Sequence, residues 1–191
     1  MHKGRLEAFT DGVIAILITI MVLELRVPHG ADLAALKPVL PHFLSYLLSF
    51  VFLGIYWNNH HHMLQAAHHV DGRILWANMH LLFWLSLIPI GTAWVGENYP
   101  AALPVAMYGV LLLLSGCAYY VLSRMLIARH GADSPLARAV GNDVKGLSSI
   151  ALYALAIALA FFVPMASCAL YVVVAIIWLV PDRRIERVLE R

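Results

Sequence analysis

The sequence has few charged residues. Only 13% of its 191 residues are Asp, Glu, Lys or Arg, whereas 62% are hydrophobic. Soluble domains carry about 25% charged and about 45–50% apolar residues, so the composition excludes an ordinary soluble domain. The net charge of +2 gives no support for nucleic-acid binding. The composition predicts an integral membrane protein that is surrounded by a lipid bilayer.

Cysteines and enzyme motifs are also scarce. Cys117 and Cys168 lie in separate apolar runs without the Cys/His spacing of a zinc site, which predicts small buried side chains. Glycine-rich phosphate loops, GxSxG and HExxH do not occur. The sequence therefore carries no enzyme signature, and we expect no cofactor. A TVGYG-like run is missing too, which excludes a filter built from backbone carbonyls.

Long apolar runs dominate the chain instead. They predict an all-α fold with six transmembrane helices in a single domain over residues 1–191, because one span needs about 20 residues. Pro164 divides the last run into two short helices. A short charged helix is expected over residues 182–191, after the last span. The predicted spans are 9–26, 39–60, 74–95, 103–127, 147–163 and 166–180.

The positive charges are distributed unevenly between the two sides of this arrangement. With six spans both termini lie on one side, and of the 13 Lys and Arg residues only Arg26 and Lys37 fall on the other. Because basic loop residues stay in the cytoplasm, both termini are predicted to be cytoplasmic. The single set of spans and the short loops favour the inner (plasma) membrane of a prokaryote.

The first span is unusual because polar residues stand at its start. Asp11 lies within about two turns of the membrane edge, where a carboxylate needs a partner or a function. On a helix, Ile16, Thr19 and Leu23 fall within about 40° of Gly12 and form one narrow stripe. Such a stripe is compatible with helix packing or with the lining of a tight pore, and periodicity alone favours packing.

Most histidines lie on the second and third spans, which raises the question of a metal site. His60, His61 and His62 are consecutive, so their side chains point about 100° apart on a helix, and at most two can face one centre. We therefore expect no metal site. Because these histidines, Asp11 and Asn78 lie at one depth, the sequence predicts a hydrogen-bond network among the first three spans at the cytoplasmic side.

The start of the first span also carries a family motif. Residues 5–12, RLEAFTDG, resemble the RxxxFSDG signature of the transmembrane protein 175 family, which comprises endolysosomal potassium channels and prokaryotic relatives with one repeat. Thr10 replaces the usual serine and keeps its hydroxyl. Positions in the second and third spans also resemble the family pattern: Trp57, His60, His61, Asn78, Leu87, Pro89 and Thr92.

This resemblance implies a potassium-favouring cation channel that is a homotetramer, with the first helix lining a central pore. Potassium is the implied permeant ion, and sodium and protons are further candidates. In the family, rings of bulky apolar side chains form the constriction. Those positions correspond to Ile16, Ile20 and Leu23, and a hydroxyl layer corresponds to Thr19. We interpret Ile16 as the main constriction.

The motif residues receive a structural role in this interpretation. They are expected to hold the first helix against the second and third rather than to bind ions. The predicted network consists of Arg5, Phe9, Thr10, Asp11, Gly12, Trp57, His60, His61 and Asn78.

Arg26 lies at the outer end of the stripe, and its positive charge is difficult to reconcile with a path for cations. The conflict is removed if its side chain extends outward, or if it pairs with Glu24 or with an acid of another subunit. Three other functions remain open at this point. A proton channel would relay protons through Asp11, His60 and His61. A histidine-rich membrane metalloenzyme would bind iron or zinc, and a structural assembly protein would conduct no ions.

Overall fold

The computed structural model describes residues 3–67, 69–131, 134–141 and 143–179, and within these ranges all regular structure is helical. The predicted helix over residues 182–191 lies outside the described ranges. A 3₁₀ helix, Leu33–Val39, precedes the second α-helix. The α-helices are α1 (Gly4–Leu23), α2 (Leu40–Gln65), α3 (Gly72–Ser86), α4 (Ile88–Asn98), α5 (Ala102–His130), α6 (Pro135–Val140), α7 (Val144–Ala160) and α8 (Pro164–Leu179).

The helices form six apolar units. Four of these, α1, α2 with its 3₁₀ turn, α3 with α4, and α5, are long and apolar enough to cross a membrane. The other two, α7 and α8, have 17 and 16 residues. They pack against each other as a hairpin whose turn is at residues 161–163, and Pro164 begins α8.

The unit formed by α3 and α4 is interrupted, although the sequence predicted one continuous span over 74–95. The interruption is at Leu87, two residues before Pro89. Proline has no N–H to donate to the preceding turn, and its ring collides with the carbonyl four residues earlier. Residues beyond the break therefore begin a new helix, which changes the direction of the chain.

The core lies around α5, which packs against α3 and α7, while α2 packs mainly against α4. Several hydroxyl groups within this core are paired: the Ser49 hydroxyl is 2.6 Å from Thr92 Oγ1 and 2.8 Å from the hydroxyl of Tyr108. Tyr171 donates to the Val105 carbonyl at 3.0 Å. Because water is excluded at this depth, such pairing removes the cost of burying polar atoms.

The first helix lies at the edge of the bundle. It contacts α2, α3 and α4, yet only 28% of the residues in its most apolar 18-residue segment are buried. Its buried residues recur every three or four positions and form one stripe: Leu6, Thr10, Ile14, Leu17 and Met21. Packing within the chain therefore uses one side of α1 and leaves the opposite side free.

Candidate functional site

The free side of α1 is the stripe that the sequence singled out. Leu23 is 82% exposed, Ile16 58% and Ile20 42%, and Gly12 and Thr19 are exposed as well. Helix packing within the described part of the chain does not account for this stripe. An apolar surface along a whole membrane-crossing helix must therefore face lipid, a neighbouring subunit or a pore.

Thr19 is the hydroxyl-bearing residue of the stripe. Its Oγ1 donates a hydrogen bond of 2.8 Å to the carbonyl of Ile16, one turn earlier on the same helix. A threonine hydroxyl has one proton and two lone pairs. Because the proton is used within the helix, the oxygen presents its lone pairs outward, which suits a cation and not an anion.

A buried chain of three polar side chains anchors the opposite side of α1. Asn78 on α3 donates from Nδ2 to the Thr10 hydroxyl at 2.9 Å, and its Oδ1 accepts from His60 Nε2 on α2 at 2.8 Å. Asn78 and Thr10 are fully buried, and His60 is 2% exposed. Since the amide oxygen can only accept, the proton of the His60 ring is on Nε2. The chain joins three helices at one level.

Asp11 has a different partner. Trp57 on α2 donates from Nε1 to the Asp11 carboxylate at 2.9 Å. The Trp57 ring stacks on the ring of His61, with centroids 5.9 Å apart and planes inclined by 18°. His61 Nε2 in turn is 2.8 Å from Gln65 Nε2. This second network lies at the surface and runs beside the stripe, from α1 along the C-terminal end of α2.

The structure does not bring every motif residue into these networks. Arg5 is exposed, Phe9 is 51% exposed, and a side chain at Gly12 would have no neighbour within 4 Å. These three residues lie on the free side of α1 with the stripe. Within one chain, the motif therefore divides into two parts. Thr10, which is buried, and Asp11 beside it, at the surface, are bonded to other helices, whereas Arg5, Phe9 and Gly12 are exposed without entering these networks.

Lys3 was missed by the sequence analysis. Its Nζ donates to the carbonyls of Leu64 and Gln65 at 3.0 and 3.3 Å. These carbonyls belong to the last turn of α2, where that of Leu64 also accepts from the N–H of Ala67. The helix dipole there favours a positive charge. Lys3 thus ties the start of α1 to the end of α2.

Arg26 pairs with neither Glu24 nor another subunit's acid in the structure of one chain. It forms a salt bridge with Glu97 at the end of α4, and both side chains are at least half exposed. This pair could not be predicted from the local pattern, because 71 residues separate its members. The pair neutralises the positive charge that was difficult to reconcile with a cation path.

Asp71 fixes the N-terminal start of α3, the helix that carries Asn78. Its Oδ1 accepts from the backbone N–H groups of Ile74 and Arg73, both at 3.0 Å. The Arg129 guanidinium lies 3.7 Å from its other oxygen. The two hydrogen bonds, helped by this positive charge, hold the pKa of Asp71 below its usual range. The start of α3 is therefore capped by a charged carboxylate at neutral pH.

The histidines do not gather into a metal centre. Among the described residues, no three His, Cys, Asp or Glu side chains come together in a way that could hold an ion. His60 is committed to Asn78, and His61 stacks on Trp57. The arrangement thus gives the metalloenzyme interpretation no support from geometry.

Comparisons with known proteins agree on one family. A sequence model described as the endosomal/lysosomal potassium channel TMEM175 matches residues 5–89. A potassium channel of Chryseobacterium sp. (strain P1-3) is 54% identical over 190 residues, which cover 100% of this chain and 99% of that protein. A potassium channel of Streptomyces collinus is 32% identical over 152 residues, 72% of this chain and 73% of that protein.

A solved structure agrees with the fold. The crystal structure of a lysosomal potassium-selective channel TMEM175 homolog from Chamaesiphon minutus superposes with a TM-score of 0.78 and 28% sequence identity. The superposition covers 94% of this chain and 97% of that chain. The endosomal/lysosomal proton channel TMEM175 of Gallus gallus is 40% identical over 73 residues, which are 32% of this chain and 15% of that protein.

Proposed function

The chain belongs to the TMEM175 family of cation channels, and on that premise we propose that it forms a potassium-favouring channel with α1 lining the pore. The observation that carries this proposal is the exposed stripe of α1, which is apolar along a membrane-crossing helix and contains one outward-facing hydroxyl oxygen. The related proteins are channels and not enzymes.

The proposed assembly is a homotetramer in which four copies of α1 surround a central pore. A closed pore needs several subunits, because a single chain supplies one copy of α1. Among the described residues, this helix has one face that is apolar and exposed along its length, and its opposite face carries the polar anchor. The proposed location is the inner (plasma) membrane with both termini in the cytoplasm, as the positive charges indicate. In this arrangement α7 and α8 also cross the bilayer.

Ile16 forms the main constriction in this proposal, and Leu23 forms a second one nearer the outer end. Ile20 lies at the edge of the stripe and narrows the path between them. Four branched apolar side chains at one level exclude water when the ring is narrow and pass a partly dehydrated ion when it is wider. Potassium loses hydration water more readily than sodium, so a constriction without carbonyl ligands favours potassium modestly.

Thr19 lies between the two apolar rings. Since its proton is donated to the Ile16 carbonyl, four Thr19 oxygens would present only lone pairs to the pore. Such a layer stabilises a cation that has lost part of its hydration water at the Ile16 ring or at the Leu23 ring. Its role in the proposal is therefore to offset dehydration, while the isoleucine ring discriminates between ions.

The networks behind α1 set the rotation of the helix. Thr10 is held by Asn78, and Asp11 is held by Trp57, about 100° further around the helix. Two bonds in different directions fix which side of α1 faces away from the bundle. Arg5, Phe9 and Gly12 lie on that free side, and we assign them to contacts between neighbouring copies of α1.

Proton conduction is the second candidate function. It is favoured by the surface network, in which Asp11, Trp57 and His61 follow one another beside the stripe. The animal relatives are named as proton channels. Carboxylate and imidazole groups exchange protons with water, whereas the indole N–H of Trp57 only donates. In this candidate function Asp11 and His61 therefore exchange protons with water beside the stripe, and protons share the pore with potassium.

Reversal potentials in planar bilayers test the proposal. Purified protein is placed between opposed potassium and sodium solutions, together with an Ile16→Asn variant. Ile90→Asn serves as the matched control, because Ile90 is 68% exposed but lies on α4. We expect a reversal potential that favours potassium and that moves towards zero only in the Ile16 variant.

Three results would contradict the proposal or a part of it. Folded tetramers that pass no current would argue against a channel, and a current that follows the proton gradient after potassium is removed would favour the second candidate. Unchanged selectivity in Ile16→Asn would leave the channel intact and remove the constriction from this position.

A further inference from the structure

A deep apolar cleft lies on the side of the bundle, between α2 and α8. Its volume is about 600 Å³, within the range of roughly 300–1,000 Å³ that is typical of ligand pockets. Leu44 on α2 and Ile176 on α8 form its rim and are more than half exposed, whereas Val105 and Tyr108 on α5 form its buried floor. Among the described residues, none of those that line the cleft belongs to α1. The cleft therefore opens away from the proposed pore helix.

The cleft walls offer little to a polar ligand, because three of their hydroxyl groups, those of Ser45, Tyr108 and Tyr171, are already bonded. Ser45 donates to the carbonyl of His42 at 3.0 Å, and Tyr108 shares a hydrogen bond of 2.8 Å with Ser49. Tyr171 donates to the Val105 carbonyl at 3.0 Å. The remaining lining is mostly aliphatic. An occupant must consequently be apolar over most of its length.

The position of the cleft identifies what fills it. Both helices of the rim, α2 and α8, are apolar, and α2 is long enough to cross a membrane, so the opening lies at the level of the hydrocarbon core. At that level the surrounding solvent consists of lipid acyl chains. Protein interiors contain few voids larger than a water molecule, so a space of this size next to acyl chains is filled by one.

We propose that the cleft binds one acyl chain of a bilayer lipid. The outer end of the cleft is lined by Tyr99, in the connection between α4 and α5, which is 39% exposed. Tyrosine at such a position marks the boundary between hydrocarbon and headgroups. The acyl chain enters beside Tyr99 and extends between α2 and α8, and the headgroup remains at the membrane surface.

Native mass spectrometry of the full chain, purified in mild detergent, tests this site. We expect one tightly retained phospholipid for each protein chain. Val172→Trp fills the cleft and should remove that lipid. Val173→Trp is the matched control, because Val173 is adjacent on α8 and is 43% exposed, against 44% for Val172, but does not line the cleft. It should keep the lipid.

Ile176→Trp is a second variant that fills the cleft, and it should lose the lipid as Val172→Trp does. Equal lipid retention in all three variants and the unchanged protein would overturn the proposal. Loss of the oligomer in the two cleft variants, but not in Val173→Trp, would also overturn it, since a second copy of the chain would then cover the cleft. Retention of a free fatty acid in place of a phospholipid would contradict the assignment to a bilayer lipid.

Discussion

Asn78 on α3 donates a hydrogen bond of 2.9 Å to the hydroxyl of Thr10 on α1, and both side chains are fully buried. The same amide accepts from His60 on α2. One side chain therefore joins the three helices at one level of the bundle. The orientation of the proposed pore helix depends on this contact, because α1 has few other buried polar contacts with its neighbours among the described residues.

Replacing Asn78 should destabilise the protein. In Asn78→Ala the Thr10 hydroxyl and His60 Nε2 lose their partner, and each stranded buried group costs about 1–3 kcal/mol. Thermal unfolding of the purified protein measures the loss. Asn98→Ala is the control, because Asn98 is exposed and bonds only within its own helix. It should change stability by less than about 0.5 kcal/mol. Equal effects of the two substitutions would contradict the anchoring role.

The bond between Trp57 and Asp11 should affect stability more than ion selectivity. Trp57→Phe keeps an aromatic ring beside His61 and removes the donor to the carboxylate. We expect a loss of about 0.5–1.5 kcal/mol and an unchanged preference between potassium and sodium. Asp11→Ala should lose assembly or stability to a similar or greater extent.

A double-mutant cycle between Trp57→Phe and Asp11→Ala separates this pair from its surroundings. A coupling near zero would show that the bond contributes nothing. A shift of the potassium-to-sodium reversal potential in Asp11→Ala, without any loss of stability, would instead assign Asp11 to the ion path.

The salt bridge of Arg26 with Glu97 should set the charge of the outer mouth. Arg26→Gln leaves the Glu97 carboxylate without its partner, so cations are concentrated and the conductance rises. Glu97→Gln leaves the Arg26 cation uncompensated, so the conductance falls. Because salt screens exposed charges over about 10 Å at 0.1 M, both effects should shrink in concentrated potassium chloride.

Single-channel recording at low and high salt measures these conductances. The double variant with Gln at both positions is the control and should conduct like the unchanged protein. If Arg26→Gln and Glu97→Gln shift the conductance in the same direction, or not at all, the pair lies outside the ion path.

Gly109 allows α5 and α8 to approach closely. A Cβ at this position would collide with the hydroxyl of Tyr171, and that hydroxyl donates a hydrogen bond to the carbonyl of Val105. Gly109→Ala should therefore destabilise the bundle by about 1–3 kcal/mol. Gly116 lies on the same helix, where the nearest atom to a Cβ would be 3.8 Å away. Gly116→Ala should be neutral or slightly stabilising, and a thermal shift as large as that of Gly109→Ala would contradict this account.

The sequence was sufficient to predict what depends on composition and helical period. The apolar runs predicted the all-helical membrane fold. The spacing of Ile16, Thr19 and Leu23 identified the side of α1 that the structure leaves exposed. Of the motif residues on α1 that were expected to contact the second and third spans, Thr10 and Asp11 form hydrogen bonds to them, whereas Arg5, Phe9 and Gly12 lie on the free side of the helix. These features depend on residues that are close in sequence, so the local sequence pattern is enough to predict them.

Contacts between distant residues could not be predicted in the same way. Nothing in the local pattern selects Asn78 rather than Asp11 as the partner of His60, or Glu97 rather than Glu24 as the partner of Arg26. The pair of Arg26 with Glu97 depends on the course of α4 after the break at Leu87, whereas the pair of His60 with Asn78 depends on how α3 lies relative to α2 before that break. The sequence analysis placed Pro89 inside a continuous span, although its missing N–H could have indicated the break.

The most direct test of a pore lined by α1 is modification of Thr19→Cys in the assembled channel, with Cys117 and Cys168 replaced by alanine. A positively charged thiol reagent should block the potassium current irreversibly. Ile18→Cys is the control, because Ile18 packs against the core, and its current should persist. A Thr19→Cys channel that carries the reagent by mass and still conducts fully would contradict the account, since the stripe would then lie outside the ion path.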